Sequence, residues 1–428
     1  MEESAEADPT AAASPRVEPT ALPAGLWVDA SAVEAEISPL LYGTNYGPWM
    51  AVTVENLPAF QASGLKFIRF PGGRWGDSNN LRDYQVRLLM DYADMLEADV
   101  TISARLLDGT PDQAVELMNM VNEELGHDVR YWSIGNEPSL YIDLQKAELW
   151  DTVYYNEQWR IFAEAMKASD PDILLLGPNN HQFRADESLN PKDPAGLDWM
   201  REFLRANGDM VDVVTFHRYP FPISMTNPLP TVDELRENSR EWDEIIPKIR
   251  EIIREETGRD IPIGIMEINS NWSDAAGGEA TPDSHYNAIW WGDVLARMIQ
   301  HDVEMVTHFA LQNKTAGWAL LDRTTLRPTY YVYQLYSRFG EGRLASGSDD
   351  QYVNIVSARR QDGALTIMLI NLADDPVTKP LLVDGQAEIE LSERWVLAPE
   401  QLAENLGAET LTGEIILPAQ SMTLLVVE

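Results

Sequence analysis

The sequence contains no cysteine. Disulfide frameworks, thiolate nucleophiles and zinc sites built on cysteine are therefore excluded. Basic residues are few, because 32 Lys and Arg stand against 69 Asp and Glu and give a formal net charge of −37. This charge argues against nucleic acid or an anionic membrane surface as a partner. No apolar run reaches the roughly 18 residues that a membrane-spanning helix needs.

The 428 residues are 44% hydrophobic, which is enough to fill the core of a large domain and of a smaller one. Residues 1–24 are rich in Ala, Pro and Glu and lack apolar periodicity, so we expect a disordered, linker-like tail. No apolar signal-peptide core is visible. Because such tails often follow a removed export signal or lipid anchor, we expect an extracellular or cell-surface protein.

Strands and amphipathic helices alternate over residues 38–340. The strands are predicted at 40–44, 65–70, 100–106, 129–134, 173–177, 211–217, 261–267 and 303–311. The helices are predicted at 81–97, 111–125, 157–168, 232–257 and 284–300, with Thr110 as an N-cap and Gly258 as a stop. This α/β pattern predicts a (β/α)₈ TIM barrel. The alternative, an open doubly wound sheet, should show a glycine-rich phosphate loop after its first strand, and residues 42–49 do not fit one.

After residue 340 the pattern changes to short alternating strands separated by turn formers. They are predicted at 352–358, 365–371, 379–383, 387–393, 413–417 and 422–427. Residues 341–428 are therefore expected to form an all-β sandwich, completed by a strand within residues 25–37.

Two of the predicted barrel strands end in a carboxylate. The strand 129–134 stops at Gly135 and presents Asn136 and Glu137, and the strand 261–267 ends at Glu267. The carboxyl ends of all barrel strands line one mouth, so the two carboxylates should face each other across a pocket. Two structural, salt-bridged carboxylates are the alternative interpretation.

Polar and aromatic residues are concentrated at the other predicted strand ends. The candidates for substrate binding are Asn45, Trp49, Arg69, Asn136, His217, Tyr219, Asn269, His308 and Trp318. Paired carboxylates suit hydrolysis of a glycosidic bond, while amide, imidazole and guanidinium groups bind sugar hydroxyls and tryptophan stacks on sugar rings. Arg74, Arg105 and Lys314 can bind the carboxylate of a uronic acid, or be solvated or ion-paired. Trp290 and Trp291, inside a helix, are predicted to pack in the core.

These residues carry a family resemblance. The segment 132–138, Trp-Ser-Ile-Gly-Asn-Glu-Pro, together with Glu267, resembles the clan A retaining glycoside hydrolases. Residues 69–73, Arg-Phe-Pro-Gly-Gly, look like the arabinofuranosidase branch. Residues 267–270 and the helix that contains Trp290 and Trp291 look like the β-glucuronidase and heparanase branch. The resemblance spans residues 40–340, and β-xylosidase-type families with a C-terminal β-sandwich also fit it.

The resemblance implies a role for each matching residue. Glu137 would be the general acid/base and Glu267 the nucleophile of a double displacement. Asn136 would bind the hydroxyl beside the anomeric carbon. Tyr219 would steady Glu267, with His217 nearby, and Arg69 would hold Glu267 ionised.

The sequence therefore predicts a retaining glycoside hydrolase that acts on a polysaccharide or oligosaccharide, in the first place an endo-acting β-glycanase. An exo-acting α-L-arabinofuranosidase, β-xylosidase or β-glucuronidase is the alternative within this class. A catalytically inactive carbohydrate-binding barrel is the alternative of another class. Neither an organic cofactor nor a metal is predicted, and the expected partner is a carbohydrate.

Overall fold

A computed structural model describes residues 24–144, 149–222, 229–313, 317–323 and 325–428. The predicted tail, except for its last residue, and Lys314 lie outside the described residues. Among the described residues, no helix is both long enough and apolar enough to cross a bilayer.

The first strand, β1 (Leu26–Glu36), belongs to the C-terminal β domain described below. Eight parallel strands then close a barrel in chain order, which confirms the predicted fold class. They are β2 (Gly43–Asn45), β3 (Phe67–Phe70), β4 (Asp99–Ala104), β5 (Tyr131–Ile134), β6 (Leu174–Asn180), β7 (Val213–Arg218), β8 (Ile263–Ile268) and β9 (Met305–His308). Pairing of Gly43 with Thr307 joins the last strand to the first.

Helices cover the outside of the barrel and its loops. They are α1 (Leu57–Gln61), α2 (Trp75–Ser78), α3 (Asp83–Leu96), α4 (Pro111–Asn119), α5 (Thr152–Ser169), α6 (Trp199–Asn207), α7 (Val232–Asn238), α8 (Trp242–Thr257), α9 (His285–Gln300) and α10 (Pro328–Tyr336). The predicted caps are confirmed: Thr110 accepts a hydrogen bond from Gln113 N at 3.2 Å, and Gly258 ends α8 in the left-handed conformation with φ 68°.

Several element boundaries differ from the prediction, three of them through short 3₁₀ or π-helical turns. The single helix expected at 232–257 is broken by a 3₁₀ turn, Ser239–Glu241, between α7 and α8. The helix expected at 111–125 ends as a π-helical turn, Met120–Glu124. The first barrel strand begins later than expected, because Ser38 caps a 3₁₀ turn, Pro39–Leu41, through the Leu40 N–H.

The β domain contains β1 and every strand after the barrel. The later strands are β10 (Gly342–Ser348), β11 (Val353–Arg359), β12 (Leu365–Asn371), β13 (Val377–Val383), β14 (Glu388–Leu391), β15 (Glu393–Ala398), β16 (Gln401–Asn405), β17 (Glu409–Thr412), β18 (Glu414–Leu417) and β19 (Ser421–Val427). Nine strands form one curled sheet in the order β16-β15-β19-β12-β11-β10-β1-β13-β18, and β14 pairs with β17. The N-terminal strand therefore joins this domain, antiparallel to β10 and parallel to β13.

Apolar packing fixes the β domain against the barrel. Met368, Met422 and Leu424 belong to the same buried cluster as the barrel core. A Cβ at Gly292 in α9 would lie 2.2 Å from the sulfur of Met422, so a side chain there would force Met422 to move. Trp290 and Trp291 in the same helix are fully buried.

Candidate active site

The acid candidate Glu137 lies on a sharp turn at the end of the fourth barrel strand, β5. Gly135 has φ 78° and Glu137 has φ 47°, so two of the three residues 135–137 have a left-handed backbone conformation. This conformation is uncommon for a residue with a side chain. Pro138 then begins a short 3₁₀ turn, Pro138–Leu140, that ends the strand. The turn presents the Glu137 carboxyl at the barrel mouth.

Glu267 lies near the end of the seventh barrel strand, β8, and only 4% of it is exposed. Three donors converge on its carboxylate: Arg69 Nη1 at 2.6 Å and the Gly73 N–H at 2.9 Å on Oε1, and the Tyr219 hydroxyl at 2.9 Å on Oε2. A carboxylate surrounded by donors acts as an acceptor only, which is the arrangement of the ionised form. Burial and the charge of Glu267 raise the pKa of Tyr219 well above its ordinary value, so its phenol keeps the proton that it donates.

Glu137 has a different environment. Burial alone raises the pKa of its carboxyl, but the hydrogen bond and charge of His217 and the charges of His181 and Arg69 outweigh burial, so this pKa lies below its ordinary value. His217 Nδ1 is 3.0 Å from Glu137 Oε1 and 3.8 Å from Glu267 Oε2. One imidazole thus stands between the two carboxylates.

The two carboxyl groups are close together. One oxygen of Glu137, one oxygen of Glu267 and a ring nitrogen of His217 all lie within 4.8 Å of one another. Such a set of donors can in principle hold a metal ion. The guanidinium of Arg69, however, already neutralises Glu267, and its positive charge opposes a second cation there.

Arg69 connects the residues beneath the mouth. Its Nη1 also donates to Asn45 Oδ1 at 2.8 Å, and its Nη2 donates to Asn136 Oδ1 at 2.7 Å. Asn45 is fully buried and its amide nitrogen donates to the backbone oxygens of Met266 and Thr307. Asn45 therefore lies behind the carboxylates and orients Arg69 instead of facing the mouth.

A cavity of about 610 Å³ opens above the two carboxylates. It is lined by Gly73, Arg74, Glu137, Leu140, Leu144, His181, Gln182, Tyr219, Glu267, Trp272, Asp274, Phe309 and Trp318. A larger cleft of about 990 Å³ lies between mouth loops and the β domain, and neither carboxylate lines it. We place the site at the smaller cavity, because chemistry depends on the converging functional groups and not on volume.

Aromatic rings form one wall of this cavity. Tyr219 lies 5.9 Å from Trp272 and 6.4 Å from Phe309, and Phe309 lies 5.0 Å from Trp318, between ring centroids. The indole N–H of Trp318 donates to Asp274 at 3.2 Å. Trp272 is 49% exposed and offers an open ring face at the rim.

The remaining candidates from the sequence lie around the cavity without lining it. Asn269 donates to the backbone oxygens of Phe309 and Trp318, at 2.8 and 3.1 Å, and its amide is 3.2 Å from His308. Burial lowers the pKa of His308 to about 3, so this ring is neutral. Trp49 is 44% exposed and lies next to Gly73. Asn269 and His308 thus support the aromatic wall from behind.

The sequence candidates did not include several cavity residues: Leu140, Leu144, Gln182, Asp274 and Phe309. Phe309 directly follows the last barrel strand, so its strand-end position was a usable signal. Asp274 lies inside a long loop whose course no sequence pattern predicts.

The fold and the site define a class of protein: a (β/α)₈ barrel with paired carboxylates at the ends of its fourth and seventh strands, followed by a β domain. The arrangement of barrel and β domain recurs in solved structures.

No protein-family model matches the sequence, and a comparison with curated proteins finds no significant match. Similar solved structures include an α-L-arabinofuranosidase from Thermotoga maritima, with 17% identity, a TM-score of 0.73 and coverage of 94% of this chain and 99% of that chain. A family 44 endoglucanase from Clostridium thermocellum has 15% identity, a TM-score of 0.73 and coverage of 94% and 99%. A family 44 xyloglucanase from Paenibacillus polymyxa has 14% identity, a TM-score of 0.71 and coverage of 94% and 99%. These structures confirm the predicted fold, a barrel followed by a β domain.

Proposed function

We propose that this chain is a retaining glycoside hydrolase. The observation that carries the proposal is the pair of carboxyl groups at one mouth, with oxygens of Glu137 and Glu267 within 4.8 Å of each other. Retaining glycosidases hold their two carboxyl groups about 5–5.5 Å apart, whereas inverting enzymes need about 6.5–9.5 Å to admit a water molecule. The short separation favours covalent catalysis over direct attack by water.

In the first step, Glu137 protonates the glycosidic oxygen while a Glu267 oxygen attacks the anomeric carbon. The bond to the leaving sugar breaks, and a glycosyl ester of Glu267 forms. In the second step, water attacks the anomeric carbon, Glu137 takes the proton of the water, and Glu267 leaves as a carboxylate. Atoms and charges balance over the two steps, with one water consumed for each bond cleaved.

The surrounding residues have roles that follow from their contacts. The Glu267 carboxylate is held in one orientation for attack by hydrogen bonds from Arg69, the Gly73 N–H and Tyr219. The Asn136 side-chain nitrogen is buried and makes no hydrogen bond to any of the described residues. It is therefore available to a sugar hydroxyl beside the anomeric carbon, where a hydrogen bond that strengthens in the transition state accelerates the reaction.

We propose an endo-acting β-glycanase as the form of this activity, working outside the cell on a polysaccharide. The exposed ring of Trp272 and the apolar Leu144 at the rim offer contact surface for sugars beyond the cleaved bond. The alternative is an exo-acting enzyme, which the likeness to an arabinofuranosidase keeps open. A barrel that binds carbohydrate without cleaving it is the second class of function.

A substrate screen tests these alternatives. The purified protein is incubated with aryl β-glucoside, β-xyloside, β-glucuronide and α-L-arabinofuranoside, and with β-glucans, xylan and arabinan. Cleavage of a polymer into oligosaccharides with little aryl glycoside turnover would support endo action. Fast release from one aryl glycoside would support exo action. Binding without turnover of any substrate would contradict the proposed hydrolase.

The pH profile of hydrolysis should depend on His217. The first step needs a protonated Glu137, so activity falls as the pH rises through the pKa of this carboxyl, and the lowered pKa gives an acidic optimum. The change His217→Phe removes the hydrogen bond and the charge that oppose burial. The pKa of Glu137 then rises, and the alkaline limb of kcat/KM should move to higher pH.

The matched control is His285→Phe. His285 is also a largely buried histidine, but among the described residues its hydrogen-bond partner is the Gln420 carbonyl and not a carboxylate. This variant should keep the wild-type limb. An unchanged or lower limb in the His217 variant would contradict the assigned acid.

A further inference from the structure

The turn that presents Glu137 needs support from outside itself. Left-handed backbone at a residue with a side chain is intrinsically unfavourable, so the neighbouring structure must impose it. Three consecutive N–H groups of the turn have acceptors elsewhere. Gly135 N donates to Ala104 O at 2.9 Å, and Glu137 N donates to Asn179 O at 3.2 Å. These two bonds come from the backbones of the neighbouring barrel strands.

The third bond comes from a side chain. Asn136 N donates to the hydroxyl of Tyr141 at 3.4 Å, and that hydroxyl donates to Asp77 Oδ1 at 2.8 Å. Tyr141 is fully buried and Asp77 is 1% exposed. Burial and the charge of Asp77 raise the pKa of Tyr141 well above its ordinary value, so the hydroxyl keeps its proton. With that proton directed at Asp77, a lone pair remains for Asn136 N–H.

Asp77 is itself fixed in place. It lies in the short helix α2, between the second barrel strand and α3, and its backbone oxygen accepts a hydrogen bond from Arg105 Nε at 3.1 Å. A Cβ on Gly135 would lie 3.3 Å from the Tyr141 hydroxyl, which shows how closely the ring fits under the turn. The hydroxyl thus reaches the turn from a rigid neighbourhood.

We infer that Tyr141, oriented by Asp77, is a positioning residue for the general acid/base Glu137. This inference rests on the proposed function. Tyr141 does not line the cavity, so it is not placed to contact a substrate there. It acts by fixing the position of the Asn136 N–H, and this in turn fixes the direction in which Glu137 presents its carboxyl group. A small rotation of that carboxyl matters, because proton transfer requires hydrogen-bond distance to the leaving oxygen.

The change Tyr141→Phe removes only the hydroxyl and separates positioning from general loss of structure. A general acid is needed for a poor leaving group and is dispensable for a good one. On the sugar that the substrate screen identifies, or on the matching oligosaccharide for an endo-acting enzyme, kcat/KM for the unsubstituted phenyl glycoside should fall by about 10- to 100-fold. For the 2,4-dinitrophenyl glycoside, the loss should be about threefold or less, because this leaving group departs without a proton.

The matched control is Tyr336→Phe, which deletes the hydroxyl of another fully buried tyrosine that donates to the Gly292 carbonyl at 2.8 Å, far from the mouth. It should lower the melting temperature without changing the ratio of the two activities. If Tyr141→Phe does not fold, Asp77→Ala, which removes the acceptor that orients the hydroxyl, provides the same test.

Equal losses on both glycosides in an active enzyme would overturn the positioning role of Tyr141 and leave the proposed function intact. A wild-type protein that cleaves no polymer and no aryl glycoside of the screen would overturn the proposed function, and this inference with it.

Discussion

Glu267→Gln is expected to lower kcat for glycoside hydrolysis by about 10⁵-fold, the scale seen when a covalent nucleophile is removed. The amide has nearly the shape of the carboxylate, and its oxygen can still accept the hydrogen bond from Arg69. Its NH₂ group then faces the Tyr219 hydroxyl, which must turn to accept instead of donate, and the amide is a very weak nucleophile. The loss should be similar for good and poor leaving groups, because attack of Glu267 on the anomeric carbon is part of the step that releases either one. Initial rates on the best substrate from the screen measure it.

The control is Glu304→Gln, which changes a partly exposed glutamate just before β9, at the end of the barrel opposite to the mouth. It should keep full activity. The melting temperature of each variant must be compared, because Arg69 would lose its charged partner at a buried site in Glu267→Gln. A folded Glu267→Gln protein with more than a few per cent of wild-type activity would exclude the nucleophile role.

A more specific test of the nucleophile role measures the activity of Glu267→Gly in the presence of azide. The small anion can occupy the space of the missing carboxylate and attack the anomeric carbon directly. The product should be a glycosyl azide of inverted configuration, which NMR of the product identifies.

Glu137→Gln should have the second largest effect, and it should depend on the leaving group. Loss of general acid catalysis costs about 10²- to 10⁴-fold on substrates with poor leaving groups. With a dinitrophenyl glycoside the first step needs no proton, but hydrolysis of the glycosyl enzyme lacks its base. We therefore expect a burst of dinitrophenol, one equivalent per enzyme, followed by slow turnover, measured by stopped-flow absorbance.

Azide again gives a contrasting result. In Glu137→Gln it should attack the accumulated glycosyl enzyme without a base and produce a glycosyl azide of retained configuration. The two variants thus predict opposite anomers. The same anomer from both, or no burst on the activated substrate, would contradict the assignment of acid/base and nucleophile.

The position of the proposed catalytic pair was predictable from the sequence for a simple reason. The apolar strands could be located from local patterns, and parallel strands in a barrel all end at the same mouth. Glu137 and Glu267 therefore had to share that mouth, although no local pattern relates them. The number of barrel strands, the change of pattern near residue 340 and the N-terminal strand of the β domain followed from equally local signals. In the β domain, by contrast, the single strand predicted at 387–393 is two strands, β14 and β15.

Other features depend on contacts between distant segments. The 3₁₀ break within 232–257 interrupts an apolar periodicity that continues on both sides of it, so periodicity alone predicted one helix. Helices α6 and α10 were not predicted, because they are short and a short amphipathic segment gives only a weak sequence signal.

The sequence by itself determined which residues stand at the barrel mouth, because strand ends are set by local chemistry along the chain. Only the tertiary structure decided which of them face the cavity. Asn45 lies beneath Arg69 and accepts its hydrogen bond, whereas Asp274 and Phe309 line the cavity from loops. Tyr141 meets Asp77 across 64 positions of the chain, and Arg69 meets Glu267 across 198. Such pairs form because the closed barrel brings the strand ends together, and that closure is a property of the whole fold.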